Sequence, residues 1–294
     1  MPLTKRGGRQ LGLPRVHAVD VKIRLGETLH ISPLFDCHID DALCDLKALR
    51  RMADERRDLP NHRVIWGGDF CNLVMPPDLK RFRPSVQPEG VARRDDWLRA
   101  SIQYVIEQIE LLDLKHELFF CGNHEDATLK FHGIDVTTEV ANHFRAKRGG
   151  YSGALDYRIN SEGSTIQTFR IVYHHGAGGG RLAKGYNWAS PFFSQFDSWN
   201  LALYGHCHAM RHDKEVRRRV HGGDIQDYET HLVNAGQWVD AYGPDASINY
   251  YAEVRGHLPQ PRACPLIKVT PRRSRRGPRG HEQNTYRLDV TVEM

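Results

Sequence analysis

The sequence predicts an α/β fold, on two observations. Five short apolar runs each stop abruptly at polar residues of metal-binding type, and helical spacing fills the gaps between the first three. The runs are residues 29–35 (LHISPLF), 64–66 (VIW), 118–121 (LFFC), 168–173 (TFRIVY) and 201–204 (LALY). Short runs rich in aromatic and β-branched residues read as buried strands. Across residues 39–56, apolar side chains recur at Leu43, Leu46, Leu49 and Met52. Across residues 91–113 they recur at Leu98, Ile102, Val105, Ile109 and Leu112, with charges on the other face. That is amphipathic helical spacing. Strand alternating with helix indicates βαβ units. In such sheets ligands collect at the carboxyl ends of the strands.

The second half differs. Residues 157–171 and 230–239 read as strands without clear helices between them, and residues 217–223 as a charged turn or loop. Residues 285–292 (TYRLDVTV) alternate in character and are expected to form a closing strand at a sheet edge. One domain spanning residues 1–294 is expected, with a basic loop at about 262–281.

Composition narrows the class. The 294 residues are 40% apolar, enough for a substantial core. No run of about 18 apolar residues is present, so no membrane helix is expected. The basic N-terminus lacks the apolar stretch of a secretory signal, and the cytoplasm is the expected compartment. Of six cysteines, Cys37, Cys71, Cys121 and Cys207 sit in or beside polar motifs and read as small buried residues at strand ends. There is no CxxC pair, which argues against a zinc ribbon. The net charge of +5 is local: residues 254–281 hold eight Lys or Arg and no acid. Such a stretch suits either a phosphate backbone or plain solvation.

The polar residues after the five runs are Asp36-Cys37-His38, Gly67-Gly68-Asp69, Gly122-Asn123-His124-Glu125, His174-His175-Gly176 and Gly205-His206-Cys207-His208. Carboxylates, imidazoles and one amide form a mixed oxygen and nitrogen donor set, suited to divalent first-row metals. Asp69 is the natural bridge, since its two oxygens can serve two cations. Each motif alone is ordinary, and 17 histidines make chance pairs common. The weight lies in the order and strand-end placement of all five.

Together these motifs resemble the ordered motifs of calcineurin-like metallophosphoesterases over residues 29–210. The resemblance implies a four-layer αββα sandwich holding two metal ions, with manganese the first expectation and iron, zinc or nickel the alternatives. It implies Asp36, His38 and His208 on one metal, Asn123, His175 and His206 on the other, and Asp69 shared. His124 is implied as the proton donor to the leaving oxygen. His174 competes with His175, and His175 is preferred because it precedes glycine. Two arginines of the protein phosphatase branch are missing: Leu73 and Cys121 stand in their places. Asn72 is closer to diesterase-like branches, where it either orients His124 or satisfies a turn.

Substrate contacts are sought near the glycine-rich stretch 176–180, followed by Arg181 and Lys184. Glycine exposes backbone N–H groups to an anion, and Arg181 could fork onto a phosphate. A loop whose glycines merely permit its shape is the competing reading. The stretches 151–157 and 176–180 resemble phosphoesterases of bacteriophages and prophages. The aromatics Trp188, Phe192, Phe196 and Trp199 follow helical spacing and read as a core-facing helix before a base-stacking surface. The leading expectation is a phosphodiesterase or nuclease, with nucleic acid a candidate partner for the basic segment. A small-nucleotide phosphomonoesterase comes second. A nucleic-acid-binding factor with a relict metal site comes third.

Overall fold

The computed structural model describes residues 15–74, 87–92, 94–161, 163–178, 184–221, 224–240, 242, 259–276 and 283–294. The α/β class holds, with two mixed six-stranded sheets. The first sheet is ordered β12-β11-β2-β3-β4-β5. Its elements are β2 (Leu29–Leu34), β3 (His62–Trp66), β4 (His116–Phe120), β5 (Lys147–Gly149), β11 (Leu266–Arg276) and β12 (Gln283–Glu293). Strands β2 to β5 run parallel, while β11 and β12 add antiparallel at one edge. The second sheet is ordered β1-β6-β7-β8-β10-β9. It comprises β1 (Val16–Lys22), β6 (Ser152–Ser161), β7 (Ser164–His174), β8 (Leu201–Tyr204), β9 (Met210–His221) and β10 (Asp224–Ala235).

Strand periodicity sorts side chains between two faces. In β3, Ile65 points to the space between the sheets, while Val64 and Trp66 point to helices. In β7, Ile171 and Tyr173 face the same inter-sheet space, and Val172 faces outward. Phe120 of one sheet stacks on Tyr173 of the other, with ring centroids 4.2 Å apart. Helices α1 (Leu46–Arg56), α3 (Trp97–Glu110) and α5 (Val136–His143) cover the outer face of the first sheet. Helix α6 (Tyr186–Phe193) covers the outer face of the second, through Ala189 and Phe193. Buried on both faces, β2 and β8 carry no exposed residue, which is why they read as continuous apolar runs.

Several boundaries depart from expectation for local reasons. Residues 39–45 are not helical, because carboxylates there bind backbone N–H groups instead. Asp41 accepts from Leu43 N at 2.9 Å, and Asp45 caps α1 by accepting from Ala48 N at 2.9 Å. The second helix is split into α2 (Glu89–Ala92) and α3. Residues 157–171 form parts of two strands, since β6 turns back into β7 at Ser161 and Ser164. The charged stretch from Arg217 begins within β9, where Arg217 pairs with Glu215 of the same strand at 3.1 Å and Arg218 with Asp227 of β10 at 3.0 Å. Most of the basic segment is strand: β11 runs to Arg276, and residues 277–282 lie outside the described ones. The C-terminal strand is β12, at the sheet edge, two residues longer at its start than expected. Among the described residues no helix is long and apolar enough to cross a membrane. All six cysteines are free.

Candidate metal centre

The carboxyl ends of β2, β3, β4, β7 and β8 meet at one place. Asp36 and His38 follow β2, Asp69 follows β3, Asn123 and His124 open α4 (Asn123–His132) after β4, His175 follows β7, and His206 and His208 follow β8. Ligand atoms of Asp36, His38 and His208 lie within 4.8 Å of one another, and so do those of Asp69, His175 and His206. A third group, His38, Asp69 and His124, overlaps both. Asp69 stands in the second and third of these groups and His38 in the first and third.

The site is built around acceptors. His175 Nδ1 donates to the Gly67 carbonyl at 2.9 Å, which turns Nε2 into the centre. Nε2 then sits 3.1 Å from Asn123 Oδ1 and 3.2 Å from Asp69 Oδ2, with Asp36 Oδ1 at 3.9 Å. Three oxygens crowd one nitrogen, so a positive charge must sit among them. In the protein alone a proton supplies it. Burial opposes charge on His175, yet Asp69 and Asp36 raise its pKa to about 10. Burial, and after it repulsion from Asp69, raises Asp36 to about 8, with His175 opposing. Burial also disfavours a charged Asp69, but His175 and His124 prevail and hold its carboxyl well below the usual range.

Other donor atoms have no partner. Asp36 Oδ1 and both ring nitrogens of His38 are buried without a hydrogen bond. Burial, then His124, lowers His38 well below the usual imidazole value, so both nitrogens cannot be satisfied by protonation. Burial likewise lowers His208 to about 4, leaving a neutral ring 3.9 Å from Asp36 Oδ1. An unpartnered buried polar atom costs about 1–3 kcal/mol. Five of the proposed ligands also adopt positive φ: Asp36, His38, Asp69, His206 and His208. Non-glycine residues in that region cost about 1 kcal/mol or more each and cluster at functional sites.

Close backbone approach holds the motifs together. A Cβ on Gly122 would lie 2.3 Å from Asp69 Oδ1 and 2.4 Å from Asp69 N, so only glycine fits. Gly68, at φ +83°, would place a Cβ 2.5 Å from Gly122 N. Glu125, almost wholly buried, accepts from Asp69 N, Cys71 N and Gly122 N at 2.9, 3.0 and 2.9 Å. Reaching back to Gly122, it makes half of a capping box. The other two bonds tie α4 to the loop after β3. The sequence motif contained Glu125 but gave it no role; its place at N3 of a helix was the signal available. Asp40 is a second unanticipated tether, accepting from Asn72 N and Leu73 N at 2.5 and 3.0 Å.

The remaining candidates divide. His124 N donates to Asp69 Oδ1 at 3.0 Å, and its Nε2 lies 4.0 Å from Asp69 Oδ2. Its Nδ1 is held by the backbone carbonyl of Asn72. The Asn72 side chain instead donates to Asp41 Oδ2 at 3.0 Å, so it is the main chain of Asn72 that meets His124. His174 turns away from the centre: its Nδ1 accepts from Gly176 N at 2.9 Å, and its ring packs among Tyr151, Trp188 and Phe192. Lys184 Nζ donates to the Met210 carbonyl at 3.3 Å, and Arg181 lies outside the described residues. The aromatics of α6 and after it pack as core: Trp199 and Phe193 are buried, with Trp188, Phe192 and Phe196 against them.

The arginines of the β11–β12 hairpin lie on its part that runs away from the centre. Val269 pairs with Leu29, and β11 then runs past the start of β2, away from Asp36. At about 3.3 Å per residue, Arg272 lies roughly 30 Å along the strand direction from the centre. No protein-family model and no curated protein matches this chain.

Proposed function

We propose that this protein is a metal-dependent phosphoester hydrolase, most closely a phosphodiesterase or nuclease, with two divalent cations held by Asp36, His38, Asp69, Asn123, His175, His206 and His208. The observation that carries the reading is the set of buried polar atoms without a hydrogen-bond partner, Asp36 Oδ1 and both ring nitrogens of His38, beside the Asn123 and Asp69 oxygens gathered around His175 Nε2. Neutral imidazoles beside carboxylate and amide oxygens are the donors manganese, iron, zinc or nickel would take. Two sheets covered by helices on both outer faces also agree with the αββα sandwich that the resemblance to calcineurin-like metallophosphoesterases implies.

When bound, such cations supply Lewis-acid stabilisation and a nucleophile from water at neutral pH. The chain supplies the rest. Asp69, anchored through its backbone by Glu125, keeps both halves of the donor set in one frame. His124, with its Nδ1–H committed to the Asn72 carbonyl, turns Nε2 toward Asp69 and the centre, where the doubly protonated ring would give its Nε2 proton to a leaving oxygen and return to the neutral Nδ1–H form. Buried Leu73 and Cys121 stand where arginines would grip a dianionic monoester, which favours the singly charged diester. The distance to the basic hairpin supports a substrate held by the centre alone, and a small-nucleotide phosphomonoesterase is the second reading.

The test is hydrolysis by manganese-reconstituted protein of bis-p-nitrophenyl phosphate, p-nitrophenyl phosphate, and single- and double-stranded DNA. Diester turnover above monoester turnover is expected. Monoester preference without DNA cleavage would replace the leading reading by the second. His124→Ala is expected to cut turnover of DNA, whose leaving group is a poor one, at least 100-fold with metal content unchanged. Full biological function in that variant would favour a relict site.

A further inference from the structure

Asp40 has a task that neither the metal set nor the core explains. It is 1% exposed, and each of its carboxylate oxygens accepts one backbone N–H, from Asn72 and from Leu73. Those N–H groups bracket the Asn72 carbonyl, the group that meets His124 Nδ1. Leu73 sits at φ +46°, a conformation a leucine adopts only when its surroundings impose it. Asp41 holds the same segment through the Asn72 side chain. A carbonyl accepts and never donates, so the His124 nitrogen facing it carries the proton. The orientation of that carbonyl therefore sets which imidazole nitrogen faces the centre: Nδ1 keeps its proton, and Nε2 is the nitrogen that takes up a second proton and gives it to the leaving oxygen.

We propose that Asp40 is a positioning residue: by gripping the two N–H groups around the Asn72 carbonyl it fixes the tautomer and direction of His124. The proposal rests on the hydrolase reading for its catalytic consequence, though not for its structural content. A general acid matters most where the leaving group is poor. An alkoxide leaving from a dinucleoside phosphate needs a proton, whereas 4-nitrophenolate leaves nearly unaided. Displacing His124 should therefore penalise one substrate and spare the other, which a general loss of structure would not do.

Asp40→Asn keeps the size of the side chain but replaces one acceptor oxygen by an NH2 group. In metal-loaded protein it is expected to lower kcat on a dinucleoside phosphate about 10- to 100-fold and on bis-p-nitrophenyl phosphate less than about 3-fold. On a His124→Ala background it is expected to add nothing on the dinucleoside. Equal losses on both substrates, or none, would overturn the proposal. Should Asp40→Asn fail to fold, Asp40→Glu moves the carboxylate by one methylene and must show the same selectivity; wild-type kinetics in it would overturn the proposal. A second readout needs no turnover. Nitrogen NMR of histidine-labelled, zinc-loaded protein should show His124 protonated at Nδ1 in the wild type and a changed tautomer in the Asp40 variant. An unchanged tautomer would overturn the positioning role. Absence of hydrolysis on every phosphoester, with the tautomer shift present, would instead remove only the hydrolase reading.

Discussion

Single residues at the centre trade stability for binding. Asp36 is wholly buried, repelled by Asp69, and raised to about 8, so at neutral pH the metal-free protein holds it largely protonated. Asparagine mimics that protonated form and keeps an oxygen to accept from His206 N, 2.8 Å away. Asp36→Asn should leave the melting temperature of the metal-free protein unchanged or raise it, while abolishing the rise expected of the wild type on adding manganese. Thermal scans with and without metal test this; a large fall without metal would contradict it. Asp36 and His175 carry protons that a cation must displace. Metal binding should therefore release protons, and affinity should climb between about pH 6 and pH 8. Calorimetry in buffers of different ionisation enthalpy measures the release, and heats independent of buffer would speak against it.

Elements place these residues, and there the sequence was most readable. All five apolar runs are strands or strand ends, because burial on both faces leaves a run of apolar side chains that nothing else mimics. Position 175 over 174 was legible from the following glycine: Gly176, at φ +138°, passes 2.4 Å from the Gly205 carbonyl at its notional Cβ, closing β7 against β8. The loop from 39 to 45 was illegible as a loop, since Leu43 keeps helical spacing with Leu46 and Leu49, while Asp41 takes the N–H of Leu43 and Asp45 caps α1 at Ala48. Gly122→Ala should cost about 2–4 kcal/mol and remove metal binding, since α4 and the loop after β3 cannot separate without parting Asp69 from Asn123. Denaturant unfolding tests the cost; wild-type stability would refute the close fit. The first sheet also carries a pH dependence. Burial lowers His62 and His116 from 6.5 to about 4, His62 bonded to Ser32 and His116 to Trp66. The fold holds both rings neutral, so their stabilisation is present above about pH 6.5 and is lost as pH falls toward 4. A drop of about 3 kcal/mol per ring is the ceiling that such a shift sets. Chemical unfolding at stepped pH would show it, and removing His116 should flatten the slope.

At the scale of the whole molecule, two sheets share one apolar interior and aim their polar strand ends at a single centre. Continuous apolar runs made the inner strands readable. The pairing of β1 with β6 and of β11 with β2 was not, because such register is set between segments more than a hundred residues apart. The basic segment was misjudged for a related reason: its arginines lie on an edge hairpin, where charge and strand are compatible, and Asp289 pairs with both Arg272 and Arg287. Being roughly 30 Å from the centre along the strands, that hairpin should not govern small substrates. Reversing the charge of Arg272 and Arg287 together should change hydrolysis of bis-p-nitrophenyl phosphate less than about 2-fold. A tenfold change would place the hairpin at the site after all. The most direct test of the metal centre is anomalous X-ray diffraction from crystals of manganese-loaded protein. Two anomalous peaks are expected, one among Asp36, His38 and His208 and one among Asn123, His175 and His206, each touching Asp69. Peaks elsewhere, or none after full loading, would contradict the account.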